Sequence, residues 1–346
     1  MVTLKDIGRR LGLSVTQVSR ALGGYSDVSD ETRKRVEDAV RQLGYHPNPT
    51  ALKLRSGRSG IVGLVVSENS EQEESNILLE ILLGLAAEFW KRDVLVVLNV
   101  MPKTGKTVDS YTRLFQQGAV DGFVVVSPSS DPMGIDFLMR AKVPFVTHGR
   151  DRAQPQYSFV DLDNRAVGNL MASRLVTLGH KDIAFIDGPE NSYSAQERLS
   201  SLYNVLAEYR IEPKDEFIHR GIMTEHFGQS AAKSLFRSSK PPPTAIIVGN
   251  MVLATGVMRA LRELGLSVPA DVSVVAHDDL LTRYPRSSIK PDLSGTRSPF
   301  SDAWVEIADG LTDAINGQNS RSFQKSISPL YVEGHSIAPS VRTRSR

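Results

Sequence analysis

The sequence predicts two architectures in one chain: an all-α helix-turn-helix head over residues 1–46 and an α/β body built on parallel sheets from residue 60 onward. Three observations carry this. Short amphipathic segments, each with start and stop signals, follow one another between residues 3 and 45. Short apolar runs then alternate with amphipathic helices as far as residue 316. Charge divides at the same place. Residues 1–58 hold eleven Lys or Arg against six Asp or Glu, a balance of +5, while the rest of the chain holds 30 against 33, a balance of −3.

In the head, Thr3 can cap a helix with Asp6 as its reciprocal partner, and Leu4, Ile7 and Leu11 form the apolar stripe that Gly12 ends. Ser14 opens a second helix and Gln17 completes its capping box; Val18, Ala21 and Leu22 line the inner face. Ser29 caps a third, with Val36, Ala39, Val40 and Leu43 at helical spacing and Gly44 at its end. Two short helices joined by a Gly-containing turn make a helix-turn-helix, whose second helix enters the major groove of DNA. The residues that would meet base edges are Val15 and Thr16, with Arg20 one turn on. Arg can bond guanine O6 and N7 together, and Val or a Thr methyl can touch a thymine methyl. Thr3, Ser14, Gln17, Ser19, Ser29 and Thr32 are placed to bond phosphates. For each polar residue the alternative is a plain surface or capping role, and for Arg20 taken alone that alternative has the better odds.

Tyr45 to Gly60 reads as a linker around a short helix: Asn48 is an N-cap, Pro49 sits at the first helical position, and Thr50 to Arg55 gives one or two turns. A helix so short is unstable alone in water, where roughly 12–15 residues are needed. It is expected to be disordered until something holds it.

Several stretches together carry a resemblance. Val2-Thr-Leu-Lys-Asp-Ile7, Ser14-x-x-x-Val-Ser-Arg20-Ala-Leu22, Val28-Ser-x-Glu-Thr-Arg33, Leu43-Gly-Tyr45 and Pro47-Asn-Pro-x-Ala-x-x-Leu54 resemble the head and hinge of the lactose/galactose repressor (LacI/GalR) family. A lone helix-turn-helix pattern is weak, whereas this joint spacing is specific. The resemblance implies that two hinge helices, one per protomer, enter the minor groove together, with Asn48, Ala51 and Leu54 as hinge residues and Leu54 the wedge that kinks the duplex. Gly8 stands where the family usually has Ala, and Gly23 where it often has Asn.

The body offers candidate strands at 61–67, 94–100, 122–126, 145–147, 183–187, 245–249 and 272–277, and helices near 76–90, 109–117, 164–178, 195–210, 226–237, 252–264 and 300–316. Ligands of such sheets bind beyond the carboxyl ends of the strands. Val160-Asp-Leu-Asp-Asn164, the run from Leu178 to Pro189, Arg198, Pro243 to Asn250, and Val272 to Asp279 resemble the sensor of the same family, itself similar to periplasmic sugar-binding proteins. The resemblance implies a two-lobed sensor of two Rossmann-like subdomains, one of about 60–161 with 292–327, the other of about 162–291 with 328–340. A hinge at 47–59 joins it to the head.

A polyhydroxyl ligand needs polar groups of fixed geometry and an apolar face for its ring. Arg198, Asn250 and Asp278 match ligand positions of the family; Arg and Asp can each hold two vicinal hydroxyls, and Asn supplies donor and acceptor. Phe227 and Phe300 are candidate stacking faces, with Arg150 and Ser298 as further candidates. A structural role at a strand end is open to Asp278, and core packing to both phenylalanines. Asp163 and Asn164 are expected to cap the following helix, and His180 to be a structural hydrogen-bonder.

Other chemistries find little support. Gly105-Lys-Thr107 is preceded five residues back by Val100, where a phosphate-binding loop needs Gly. No His spacing suits zinc catalysis, no Gly-x-Ser-x-Gly is present, and the chain has no Cys. No apolar run reaches 18 residues and no signal-like stretch opens the chain, which points to the cytoplasm and no membrane. The expected molecule is a homodimeric, cofactor-free regulator, a repressor of carbohydrate use, that binds double-stranded operator DNA and is controlled by a sugar or glycoside. A nucleobase or phosphorylated effector, a transport protein, and a sugar-modifying α/β enzyme are the alternatives.

Overall fold

The computed structural model describes residues 2–45, 57–68, 72–102, 104–238, 241–318 and 322–340, and of residues 72–76 the backbone. Asn48, Ala51 and Leu54 of the expected hinge, and the basic tail from Val341, lie outside the described residues. The chain divides into two compact units, residues 1–59 and 60–346.

The first unit is three helices, α1 (Leu4–Leu11), α2 (Val15–Leu22) and α3 (Asp30–Leu43). Each gives its apolar stripe to one small core: Ile7 from α1, Val18 and Ala21 from α2, Val36 and Ala39 from α3, all buried. Gly12 and Gly44 end α1 and α3 in the left-handed conformation, at φ 68° and 62°, which side chains resist. At Gly8 a Cβ would lie 2.6 Å from the Leu13 carbonyl oxygen, so the turn packs closer to α1 than the alanine usual in the family would allow.

The second unit holds two six-stranded sheets. The first is built from β1 (Ile61–Ser67), β2 (Leu95–Met101), β3 (Gly122–Val126), β4 (Phe145–His148), β5 (Ser158–Leu162) and β11 (Gln324–Ile327), ordered β11-β5-β4-β3-β1-β2 and parallel throughout. Helices α4 (Gln72–Trp90) and α11 (Ser301–Asn316) cover one face; α5 (Thr107–Gln116) and α6 (Pro132–Arg140) cover the other. Side-chain alternation along β3 feeds both: Val124 joins the core under α4 and α11, while Phe123 and Val125 join the opposite one.

The second sheet contains β6 (Ile183–Asp187), β7 (Ile218–Arg220), β8 (Ala245–Val248), β9 (Ser273–Asp278), β10 (Ser294–Arg297) and β12 (Leu330–Val332). Its order is β12-β10-β9-β8-β6-β7, parallel except for β12. Helices α7 (Asn164–Thr177) and α8 (Tyr193–Glu208) pack on one face, α9 (Glu225–Ser238) and α10 (Met251–Glu263) on the other. Strands β6, β8 and β9 are buried along their whole length, as a parallel sheet covered on both faces requires.

The chain passes between the lobes three times: from β5 to α7, from β10 to α11, and from β11 to β12. The expected boundary at 292 therefore moves, because Ser294–Arg297 pairs with β9 in the second sheet. Most other expected elements stand within two residues of their limits. Helix α4 begins at Gln72 instead of 76. Helix α6 and strands β5, β7, β10, β11 and β12 are additions to the expected set.

Candidate functional site

In the head, every expected cap is made. Thr3 donates through its amide and its hydroxyl to Asp6 Oδ2 at 2.9 and 2.7 Å. Ser14 accepts from the Gln17 amide at 3.1 Å, and its own amide donates to Gln17 Oε1 at 2.9 Å. Ser29 Oγ accepts from the Thr32 amide and donates to Thr32 Oγ1. These bonds fix the helix starts. Val15 (46% exposed), Thr16 and Gln17 face outward at the amino end of α2, with Ser19 and Arg20 half-buried behind them. Arg20 is already engaged: its Nη2 lies 2.6 Å from Asp27 Oδ2, its Nε donates to Oδ1 at 3.3 Å, and its guanidinium carbon lies 4.6 Å from the Tyr25 ring centroid. The hydrogen bond raises the Arg20 pKa and lowers that of Asp27 below the ordinary carboxylate value.

In the body, the carboxyl ends of both sheets meet a shared cleft. Arg198, at a core-facing position of α8, is buried. Its Nε and Nη2 donate to Asp187 Oδ2 and Oδ1 at 2.7 and 2.8 Å, and Nη1 donates to Asn164 Oδ1 at 2.5 Å. These bonds engage three of the five guanidinium hydrogens, leaving one each on Nη1 and Nη2 beyond them. Asn164 thus belongs to the charged network, and Asp163 alone caps α7, accepting from the Ala166 amide at 2.9 Å. Asn250 caps α10 through the Leu253 amide at 3.0 Å, and Asp278 accepts from the Leu280 amide at 2.9 Å. The structural role open to Asp278 is therefore filled, Asn250 carries a cap that the sequence reading did not expect, and both residues stand at the strand ends where α/β ligands sit.

Arg150 takes a different part from a free ligand donor. Its Nε donates to Asp161 Oδ2 at 2.7 Å and its Nη2 to Glu197 Oε2 at 3.1 Å. Glu197 also accepts from Arg165 and from the Tyr193 hydroxyl, at 2.7 and 2.8 Å. Arg150 and Glu197 stand on opposite lobes, so this pair spans the cleft. Two other bridges do the same: the Tyr193 amide to Ser129 Oγ at 3.2 Å, and the Thr282 amide to the Glu80 carboxylate at 3.1 Å. Burial pushes Asp161 up to about 6, against the pull of Arg150.

Phe300 packs against the cores of both lobes and stands over Trp304, with His148 edge-on at 5.3 Å. Burial in this aromatic corner lowers His148 to about 4, against the opposing charge of Asp279. Phe227 packs on the core of the second lobe with its ring against Gly221, and Ser298 is buried, its amide bonded to the Asp278 carbonyl. The structure thus gathers Arg198, Asp278, Asn250 and Phe300 along the cleft with Arg150 bridging it. His180 is structural, its ring nitrogens on Thr244 Oγ1 and the Ala338 carbonyl at 3.0 and 2.9 Å. Asp161, Asp187, Glu197, Tyr193 and Asp279 were missed as site residues. One signal was available: Arg198 falls on the stripe of Ala195, Leu202 and Val205, where a charge needs a buried partner.

A water-sized cavity of about 10 Å³ lies within the second lobe, beside Asp278, Met251 and Arg297. A larger groove of about 340 Å³ lies at the amino-terminal edge of the first sheet, lined by Leu138, Phe145, Tyr157 and Phe323. Among the described residues no cluster of His, Asp or Glu suits a metal ion, and no helix is long and apolar enough to cross a membrane.

Comparison with known proteins gives a consistent picture. Residues 3–48 match the family of bacterial regulatory proteins, lacI family, and residues 151–337 match the periplasmic binding protein-like domain. The HTH-type transcriptional regulator AglR of Rhizobium meliloti (strain 1021) is 37% identical over 92% of this chain and 89% of its own. A CelR–cellobiose complex superposes with a TM-score of 0.70 at 28% identity, covering 97% of this chain and 100% of the other. A lac repressor dimer bound to operator and the anti-inducer ONPF gives a TM-score of 0.77 at 26% identity, over 97% and 99% of the two chains.

Proposed function

Because this chain belongs to the LacI family of bacterial regulatory proteins, we propose that its cleft takes a neutral disaccharide or glycoside and that α2 reads the operator through Val15, Thr16 and Arg20. The chain is a DNA-binding transcription regulator under small-molecule control, and not an enzyme. One observation carries the choice of ligand: Arg198 is buried, with its fork oriented by Asp187 and Asn164 and two hydrogens beyond those bonds, while Phe300, packed against both lobes, supplies an aromatic face. Such a set offers hydroxyl-pairing groups and an apolar ring face. The surrounding carboxylates Asp161, Asp187, Glu197, Asp278 and Asp279 oppose a phosphorylated effector, which would need unpaired cations. The cellobiose bound in the CelR relative supports the same class.

Three bridges hold the lobes together across the cleft, Arg150–Glu197, Tyr193–Ser129 and Thr282–Glu80, and parting of the lobes to admit a ligand breaks them. The ligand couples to DNA if this motion moves the first lobes of a dimer and with them the two hinges, where Leu54 is the expected wedge. Useful coupling is about 1–3 kcal/mol.

The dimer we propose uses the edge of the first sheet. Leu79, Leu83 and Trp90 on α4, and Leu95, Val97 and Val100 on edge strand β2, are exposed. An apolar face of this extent beside a bare strand edge calls for a cover, and a second copy suits it. Reading operator DNA, the regulator would work in the cytoplasm. Calorimetry against neutral disaccharides, sugar phosphates and nucleobases tests the ligand class. Binding of the phosphates or nucleobases alone would overturn it. In duplex selection, loss of preference at one base pair in Arg20→Ala supports base reading, whereas uniform weakening reduces Arg20 to a phosphate contact.

A further inference from the structure

We infer that Asp27 is a specificity-determining residue that, with Tyr25, holds the Arg20 fork in the orientation that reads a guanine. This rests on the base-reading role proposed for Arg20 above. A guanidinium offers a side edge, Nε with one Nη, and an end edge formed by the two Nη groups. Asp27 occupies the side edge, with Oδ1 3.3 Å from Nε and Oδ2 2.6 Å from Nη2. Tyr25 covers one face, 4.6 Å from the guanidinium carbon. The end edge is left with the two-donor geometry that guanine O6 and N7 require.

The support of Asp27 is itself anchored. The Tyr25 amide donates to the Arg20 carbonyl at 3.3 Å, the Val28 amide to the Tyr25 carbonyl at 3.3 Å, and Arg33 Nη2 to the same carbonyl at 3.2 Å. The loop between α2 and α3 is therefore tied to both helices. A free arginine chain is flexible, and fixing it before contact removes ordering cost that would otherwise fall on DNA binding.

The charge of Asp27 points the same way. A carboxylate near a recognition helix repels phosphates and lowers affinity for every sequence alike. A residue that weakens general binding yet orients the reading fork exchanges affinity for discrimination. Removing the charge should therefore move the two quantities in opposite directions, which a residue serving only the fold would not do.

The test uses the full chain and a duplex that the wild-type protein selects from a randomised pool. Arg20→Ala first identifies the base pair at which preference relaxes. A bidentate arginine contact is expected to give roughly 5- to 150-fold discrimination there. Asp27→Asn should cut that discrimination by at least about threefold, while binding to an unrelated duplex at low salt tightens and its salt slope steepens. Asp27→Glu should restore part of the discrimination. Thermal unfolding should be unchanged, since the pair is exposed. Unaltered discrimination in Asp27→Asn overturns the proposal and leaves base reading by Arg20 standing. Proportional loss for selected and unrelated duplexes overturns it too, making Asp27 merely structural. If Arg20→Ala relaxes no base pair, the base-reading premise itself fails.

Discussion

Removing the Asp187 carboxylate should unsettle the second lobe more than any other single change to the cleft. Asp187 is fully buried at the end of β6 and accepts both Arg198 donors, at 2.7 and 2.8 Å, as well as the Gly188 amide at 2.6 Å. In Asp187→Leu the arginine keeps Asn164 but loses its counter-charge inside the protein. Orphaning one partner of such a pair costs about 3–5 kcal/mol, a large share of a domain's typical 5–15. The bare Gly188 amide adds to this, partly overlapping. Gly249 leaves space for the new side chain, since its own Cβ would lie 2.1 Å from Asp187 Oδ1. The double variant Asp187→Leu, Arg198→Met removes both charges, and should recover most of the loss, because apolar replacement of a whole buried pair is near neutral. Urea unfolding of the two single variants and the double gives the cycle, with Asp187→Asn as the milder version should Asp187→Leu not fold. Calorimetry should find effector binding lost wherever Arg198 is absent, including in the stable double variant. A cost below about 1 kcal/mol for Asp187→Leu, or single losses that simply add, would refute this account of the pair.

Ser14→Ala should lower head stability by about 1 kcal/mol, measured by thermal melting, through loss of its N-cap bond to Gln17. Leu83→Glu should shift the sedimentation of the full chain toward monomer. An unchanged dimer would place the interface elsewhere. His148 should titrate near 4 by NMR, well below its ordinary 6.5. Its folded pKa lies below the unfolded one, so the stability it contributes is complete above 6.5 and is lost as pH falls toward 4, about 3 kcal/mol in all. Asp161 has the opposite sign. With its pKa raised from 3.8 to about 6, the folded state gains stability as pH falls from 6 to 3.8, which Asp161→Asn should abolish in a pH series of urea melts.

Legibility followed the physics of each segment. The head was readable because caps, breakers and apolar stripes are local and all agree. Strands such as Ile183–Asp187 were readable because burial on both faces demands a continuous apolar run. Strand β10 was not, since Ser294–Arg297 carries no large apolar side chain. It is held by the Ser336 hydroxyl on the Ser294 amide, and at Gly295, φ 156°, a Cβ would lie 1.8 Å from the Ala276 carbonyl oxygen. Helix α6 did carry a signal, Asp131 before Pro132, a capping residue followed by the proline that favours a first turn. In the cleft, Arg198, Asn250 and Asp278 could be named, but their partners could not. Arg150 and Glu197 are 47 residues apart and follow no period, so only folding brings them together.

The three passages between the lobes have a consequence for synthesis. Strand β11 completes the first sheet and β12 the second, yet both are made within residues 324–332, after every other strand. While the ribosome is still at work, the head already has its whole core, but both sheets wait with an open border. A chain terminated before residue 324 would therefore keep the head and lack the last strand of each sheet. Responsiveness arrives for both lobes at once, with residues 324–332.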